Sequence, residues 1–308
     1  MSPIITIALP IFAIIAVGAF AGRRGVLSAA DAGALNRFVF NFAMPTALFG
    51  LTATADPIAA DDAVFAAGYG LAAMIVIFGS YAVARLVFAL DPIAAGAHAF
   101  ASTLGNAVFL GLPIALSVPG WANAFVILML VEGILVIAVG AALMSPRAGF
   151  SVEIVLRPLR NPLVAAMAAG LIFSLVANAI GLSPPTPATR FLEIFGRAAG
   201  PTALFSLGLF LATHPIAALR PIAGKVGAII AFKMAALPAL TLAFMALLGV
   251  SAPDRIGPAA LFTLVPVGVG AYVMASGVGR YETEAAAAVA VSTAISLLTI
   301  SAVLAQFA

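Results

Sequence analysis

The sequence predicts an all-α polytopic membrane protein, one transmembrane domain of ten helices built as two inverted repeats of five. Three observations predict it. Of 308 residues, 64% are hydrophobic and 8% charged, with a mean hydropathy of +1.22. The apolar residues gather into long runs separated by charges and Pro/Gly turns, and the two halves carry matching segments. A soluble domain has about 25% charged residues. This chain cannot cover a water-exposed surface, which excludes a soluble enzyme, and its hydrophobicity excludes disorder.

The apolar runs fall at 4–22, 32–55, 62–89, 95–117, 121–144, 159–181, 188–212, 220–249, 255–279 and 284–307. Each is long enough for the roughly 20 residues that cross a bilayer as helix. β-barrel strands would alternate over segments of about ten residues. These runs are longer, unbroken and rich in Ala and Leu, so helices are expected. The first run lacks a charged leader and a small-residue cleavage pattern, and reads as a mature span.

Lys and Arg set the orientation. Alternate connections place Arg23, Arg24, Arg85, Arg147, Arg157, Arg160, Arg220, Lys225 and Arg280 on one side. The other side holds Arg190 and Arg255 with Asp56, Asp61, Asp62 and Asp254. The first side is expected to be cytoplasmic in an inner membrane, with both termini periplasmic. Arg37 is expected to snorkel at the cytoplasmic end of run 2. Residues 146–158 form a cytoplasmic linker between repeat one (1–145) and repeat two (159–308).

The repeat is visible in Pro45-Thr46-Ala47-Leu48-Phe49 and Pro201-Thr202-Ala203-Leu204-Phe205. The same offset aligns Ala43 with Ala199, Gly68 with Gly224 and Phe88 with Phe244. A further small shift aligns Phe109 and Pro113 with Phe262 and Pro266. Five spans per half is an odd number, so the second half enters the membrane inverted. Inverted repeats mark secondary transporters.

Runs 4 and 9 are interrupted at matching places. Run 4 carries Gly105, Asn106, Gly111 and Pro113; run 9 carries Thr263, Pro266, Gly268 and Gly270. Proline removes a helical hydrogen bond and glycine lets the chain unwind. Within lipid, the freed groups need protein or a watered cavity. Paired interruptions point to a binding site where half-helix N-termini offer N–H groups to an anion.

Asn106, Gly111 and Pro113 together resemble the Asn-x-x-x-x-Gly-x-Pro stretch of the auxin efflux carrier family, which includes plant PIN-type carriers and bacterial malonate and malate permeases. Gly22-Arg23-Arg24-Gly25-Val26-Leu27-Ser28, Leu35-Asn36-Arg37, Pro45, Asn161-Pro162, Lys233 and Pro238 are similar too. The resemblance runs through nearly the whole chain. It implies an architecture like the bile-acid sodium symporters and NhaA, with helices 4 and 9 crossing at their breaks between a mobile unit and a scaffold unit. It implies movement of an organic anion such as malonate, malate or an auxin-like acid, and a homodimer through the scaffold. Small and apolar residues around Pro266 disfavour sodium coupling, although backbone carbonyls can hold a cation.

Ionisable groups deep in a bilayer cost about 2.5–3.5 kcal/mol each on insertion scales. Glu132, Arg197 and Lys233 are the deep ones. Glu132 is either a proton-coupling or substrate-contacting group, or a structural partner of Lys233 or Arg197. Arg197 occupies the repeat position of Asn41, four residues before the shared proline. The two can line opposite sides of one cavity with Thr46 and Thr202, Arg197 taking a carboxylate bidentately, or Arg197 can snorkel outward. His98 is expected at the cytoplasmic interface, and Trp121 and Tyr69 as aromatic anchors.

No cysteine is present, and two histidines on separate runs make no metal set. No Walker loop, His-Glu-x-x-His or Gly-x-Ser-x-Gly occurs, so neither a cofactor nor an ATP-driven pump is expected. No basic run suits nucleic acid. A membrane enzyme lacks clustered ligands, a channel lacks a continuous polar stripe, and a sensor lacks an output domain. The expected function is a secondary carrier of a small organic anion. The alternative within that class is a proton- or sodium-coupled symporter.

Overall fold

A computed structural model describes residues 9–54, 60–145, 161–182, 185–213 and 220–308. Asp56, Arg147, Arg157, Arg160, His214 and the linker lie outside the described residues. The described chain is helical and has no strand; its only bridge-type pairing there is a single antiparallel contact between Gly105 and Val267. Lipid forces this choice, because a helix satisfies its backbone within one segment.

In order, the helices are α1 (Leu9–Arg23), α2 (Ala29–Phe38), α3 (Met44–Ala53), α4 (Ala60–Leu86), α5 (Pro92–Ala101), α6 (Ala107–Ser117) and α7 (Trp121–Leu143). There follow α8 (Pro162–Ile180), α9 (Thr186–Gly196), α10 (Ala199–Thr213), α11 (Arg220–Leu247), α12 (Pro253–Leu264), α13 (Val269–Val278) and α14 (Glu282–Phe307). Among the described residues, six helical stretches are long and apolar enough to cross a membrane: α4, α7, α8, Thr186–Ala212, α11 and α14. The other apolar runs of the sequence carry shorter or interrupted helices.

Several helices contain a wider π turn: Val39–Ala43 between α2 and α3, Ala107–Gly111, Glu132–Val136 and Phe232–Ala236. Three of these precede Pro45, Pro113 and Pro238. A proline clashes with the carbonyl four residues back, and the wider turn makes room for it.

Packing divides the helices into two bundles. In the first, α1 lies along α10, and α3 along α8 and α9, with α2 against α10. In the second, α4 packs on α11 and α5, α12 on α7, and α13 on α14. The helix α6 touches both α10 and α7. The first bundle is joined by backbone-to-backbone approach. A Cβ at Gly18 would collide with the carbonyl oxygen of Phe205, and one at Gly208 with that of Ile15.

Candidate functional site

The two broken runs meet. Asp91 starts α5 by accepting from the amides of Ile93 and Ala94 (3.0 and 3.1 Å). After Ala101 the helix stops and restarts as α6 at Ala107. Run 9 breaks at Val265, which is extended (φ −61°, ψ 150°), as a residue before proline prefers. Pro266 follows, and Gly268 precedes α13.

The breaks then pair as a short antiparallel rung. The Asn106 amide donates to the Pro266 carbonyl (2.8 Å), and the Gly268 amide donates to the Leu104 carbonyl (3.0 Å). Glycine is required here: a Cβ on Gly268 would lie 2.6 Å from the Gly105 carbonyl oxygen. The Val267 amide donates to Ser292 Oγ (3.0 Å), and Thr299 Oγ1 donates to the Leu264 carbonyl (3.1 Å). The helix α14 thus satisfies backbone that the break released.

Both buried charges attach to this rung. The Gly105 amide donates to Glu132 Oε1 (2.9 Å), and the Tyr69 hydroxyl donates to the same oxygen (3.2 Å). Lys233 Nζ donates to the Thr263 carbonyl (2.6 Å). Each charge sits on a π turn, which displaces it from the regular helical face. Among the described residues, neither forms a direct ion pair.

A cavity of about 610 Å³ extends from the rung between the bundles. Asn41, Asn106, Glu132, Gly268 and Gly270 line it. Asn106 is 2% exposed, and neither its Oδ1 nor its Nδ2 has a hydrogen-bond partner among the described residues. Leaving such a buried group unmatched costs about 1–3 kcal/mol. Asn106 and Gly268 immediately precede α6 and α13, whose first amides lack intrahelical acceptors. The cavity therefore presents an amide side chain and two helix N-termini in walls that are mostly apolar, with Arg37, Asn41 and Glu132 among the polar lining.

The remaining expected residues lie elsewhere. Gly111 packs on the Phe125 ring, and Pro113 faces Gly200 on α10. Thr46 Oγ1 donates to the Phe42 carbonyl, and Thr263 Oγ1 to that of Ala259 (2.8 Å each). Thr202 is half-buried, Arg197 is exposed, and neither lines the cavity. Pro266 and Lys233 support the rung from outside the cavity wall.

Three further polar groups line the cavity without a local sequence signal. Arg37, read as a snorkelling residue, lines the cavity, as do Asn36 and Asn161. Tyr69 is fully buried and bound to Glu132, so it is not an anchor. Trp121 is 4% exposed and packs at Gly257. His98 is also fully buried, its Nδ1 2.8 Å from the Tyr281 hydroxyl, so it is not at the surface. Only long-range packing reveals these partners, which lie 63 and 183 residues away for Tyr69 and His98.

A family profile described as "Membrane transport protein" matches residues 3–304. The chain belongs to this family, the auxin efflux carrier family that the sequence resembles. It is similar to a protein of Rhizobium meliloti (strain 1021) described as "Putative malonate transporter", with 26% identity over 323 residues. The match covers 99% of this chain and 96% of that protein. The chain is thus a multi-pass membrane protein of a transporter family, which agrees with a role other than enzyme.

Proposed function

We propose that this protein carries a small organic anion, malonate or a related carboxylate, across the cytoplasmic membrane by alternating access at the crossed breaks. The observation that carries the reading is Asn106, buried and unmatched on the wall of a cavity that two helix N-termini also border. A carboxylate supplies acceptors for the amide Nδ2 and for the helix N-termini. Arg37 adds a positive charge on the same wall.

In this reading ten spans form two inverted repeats, one on each side of the 146–158 linker. The packing supports it, because α1 against α10 mirrors α8 against α3 when the halves are exchanged. Helix interruptions at Val39–Ala43 and at Arg197–Ala198 fall at matching repeat positions. Ion pairs support the expected sides. Asp62–Arg255 (2.5 Å) joins two residues assigned outside, and Lys225–Glu284 (3.1 Å) ties a cytoplasmic lysine to the start of α14. Both termini are then periplasmic. The cavity is lined by Ala29, Gly33 and Asn161, near cytoplasmic ends, so this form opens inward. The first bundle is the scaffold, on which a homodimer forms; the second moves.

A thermal-shift screen of mono- and dicarboxylates, at two pH values and with or without sodium, tests the reading. A ligand at a hundred times its Kd stabilises the folded state by about 2.7 kcal/mol. Malonate or a close relative is expected to raise Tm in the wild type and not in Asn106→Ala. Equal shifts in both proteins would remove Asn106 from the site, and no shift with any carboxylate would remove the substrate class.

A further inference from the structure

The rung leaves a helix C-terminus buried in the second bundle. The helix α12 ends at Leu264, and the last carbonyls of a helix have no intrahelical donor. Such an end carries a partial charge of roughly −0.5. In a bilayer core it needs a partner from protein or ion. Thr299 and Ser292 satisfy nearby groups with neutral hydroxyls, but the Thr263 carbonyl receives an ammonium.

That ammonium is placed with some specificity. Lys233 is 0% exposed and projects from the π turn Phe232–Ala236 just before Pro238. Its Nζ lies 2.6 Å from the Thr263 carbonyl. A Cβ on Gly105 would lie 3.4 Å from Nζ, and the Gly105 amide is bound to Glu132. Carbonyl oxygen, helix C-terminus and carboxylate thus gather around one rung. In transporters with broken helices, unwound carbonyls and half-helix C-termini hold the free coupling cation. Here a side chain of the protein reaches that kind of position.

We propose that Lys233 is a tethered cation that fills the cation position at the crossover, so that the carrier needs no free alkali-metal ion and its removal creates a site for one. The proposal rests on reading the crossover as the transport site. Wild type and Lys233→Ala are to be compared in sodium, propylammonium and N-methylglucamine chlorides at equal ionic strength. Propylammonium replaces the atoms that the substitution deletes. Melting temperature and proteoliposome uptake are read in each salt.

Wild type is expected to show the same Tm and uptake in all three salts. Lys233→Ala is expected to lose uptake roughly tenfold or more in N-methylglucamine, as for a lost hydrogen bond to a charged group. Sodium or propylammonium should then restore both uptake and Tm. A sodium requirement in the wild type would overturn the proposal, as would a Lys233→Ala protein indifferent to all three cations. If Lys233→Ala does not fold, Lys233→Gln takes its place in both readouts. If no form transports any carboxylate, the transport reading fails, and the melting series still decides whether the variant has gained a cation site.

Discussion

The two bundles are held together by different means. In the first, α1 and α10 approach until backbone touches backbone, with Gly18 and Gly208 set against opposing carbonyls. Gly170 on α8 likewise sits where a Cβ would strike Thr52 Oγ1. Small residues at helix contacts are the ordinary way to join helices in lipid, where no hydrophobic gain is available. In the second bundle the centre is polar: Tyr69, Glu132, Lys233 and the hydroxyls of α14 bind backbone released at two breaks. Close backbone contact makes a rigid body. A hydrogen-bonded rung leaves one lining amide side chain, that of Asn106, unmatched among the described residues. The cavity lies between the two.

Breaking the first bundle should have the largest effect. Gly208→Val forces α1 and α10 apart, and overpacking of this kind costs about 3 kcal/mol or more. Loss of the monodisperse peak in detergent, or a large fall in Tm, is expected; an unchanged Tm would show that the backbone contact does not hold the bundle. Gly268→Ala acts on the rung instead. Its Cβ would stand 2.6 Å from the Gly105 oxygen. Uptake is expected to fall roughly tenfold, because small misplacements at a site are costly, with a smaller loss of Tm than for Gly208→Val.

The first of these contacts was not legible in the sequence, and the second was. Apolar runs and paired Gly/Pro interruptions are local signals, and lipid leaves helix as the consistent answer. That is why runs 4 and 9 stood out around Pro113 and Pro266. Gly18 and Gly208 are 190 positions apart in the numbering, and nothing local marks either as a contact. The distance of Arg37 from a span end says nothing of which side of the helix faces a cavity. The cost of burying charge marks Glu132 and Lys233 in the sequence, but their partners are a backbone amide and a carbonyl. Backbone groups carry no sequence signature.

Two substitutions at polar groups should have smaller effects. Tyr69→Phe removes one buried donor to Glu132, which should cost about 1 kcal/mol in a denaturation series; no change would mean that the Gly105 amide alone suffices. Arg37→Gln should weaken apparent substrate affinity several-fold, on the order of a single charge-assisted hydrogen bond, with little change in Tm. An unaltered affinity would place the anion away from the cytoplasmic end of α2.

In the proposed function the anion binds at the crossover and is read there by Asn106. Uptake of labelled malonate into proteoliposomes, wild type against Asn106→Ala at matched protein content and Tm, decides this. Saturable uptake in the wild type, reduced roughly tenfold or more by the substitution, as for a lost hydrogen bond to a charged ligand, is the predicted result. Saturable uptake of equal rate and affinity in both proteins would contradict it.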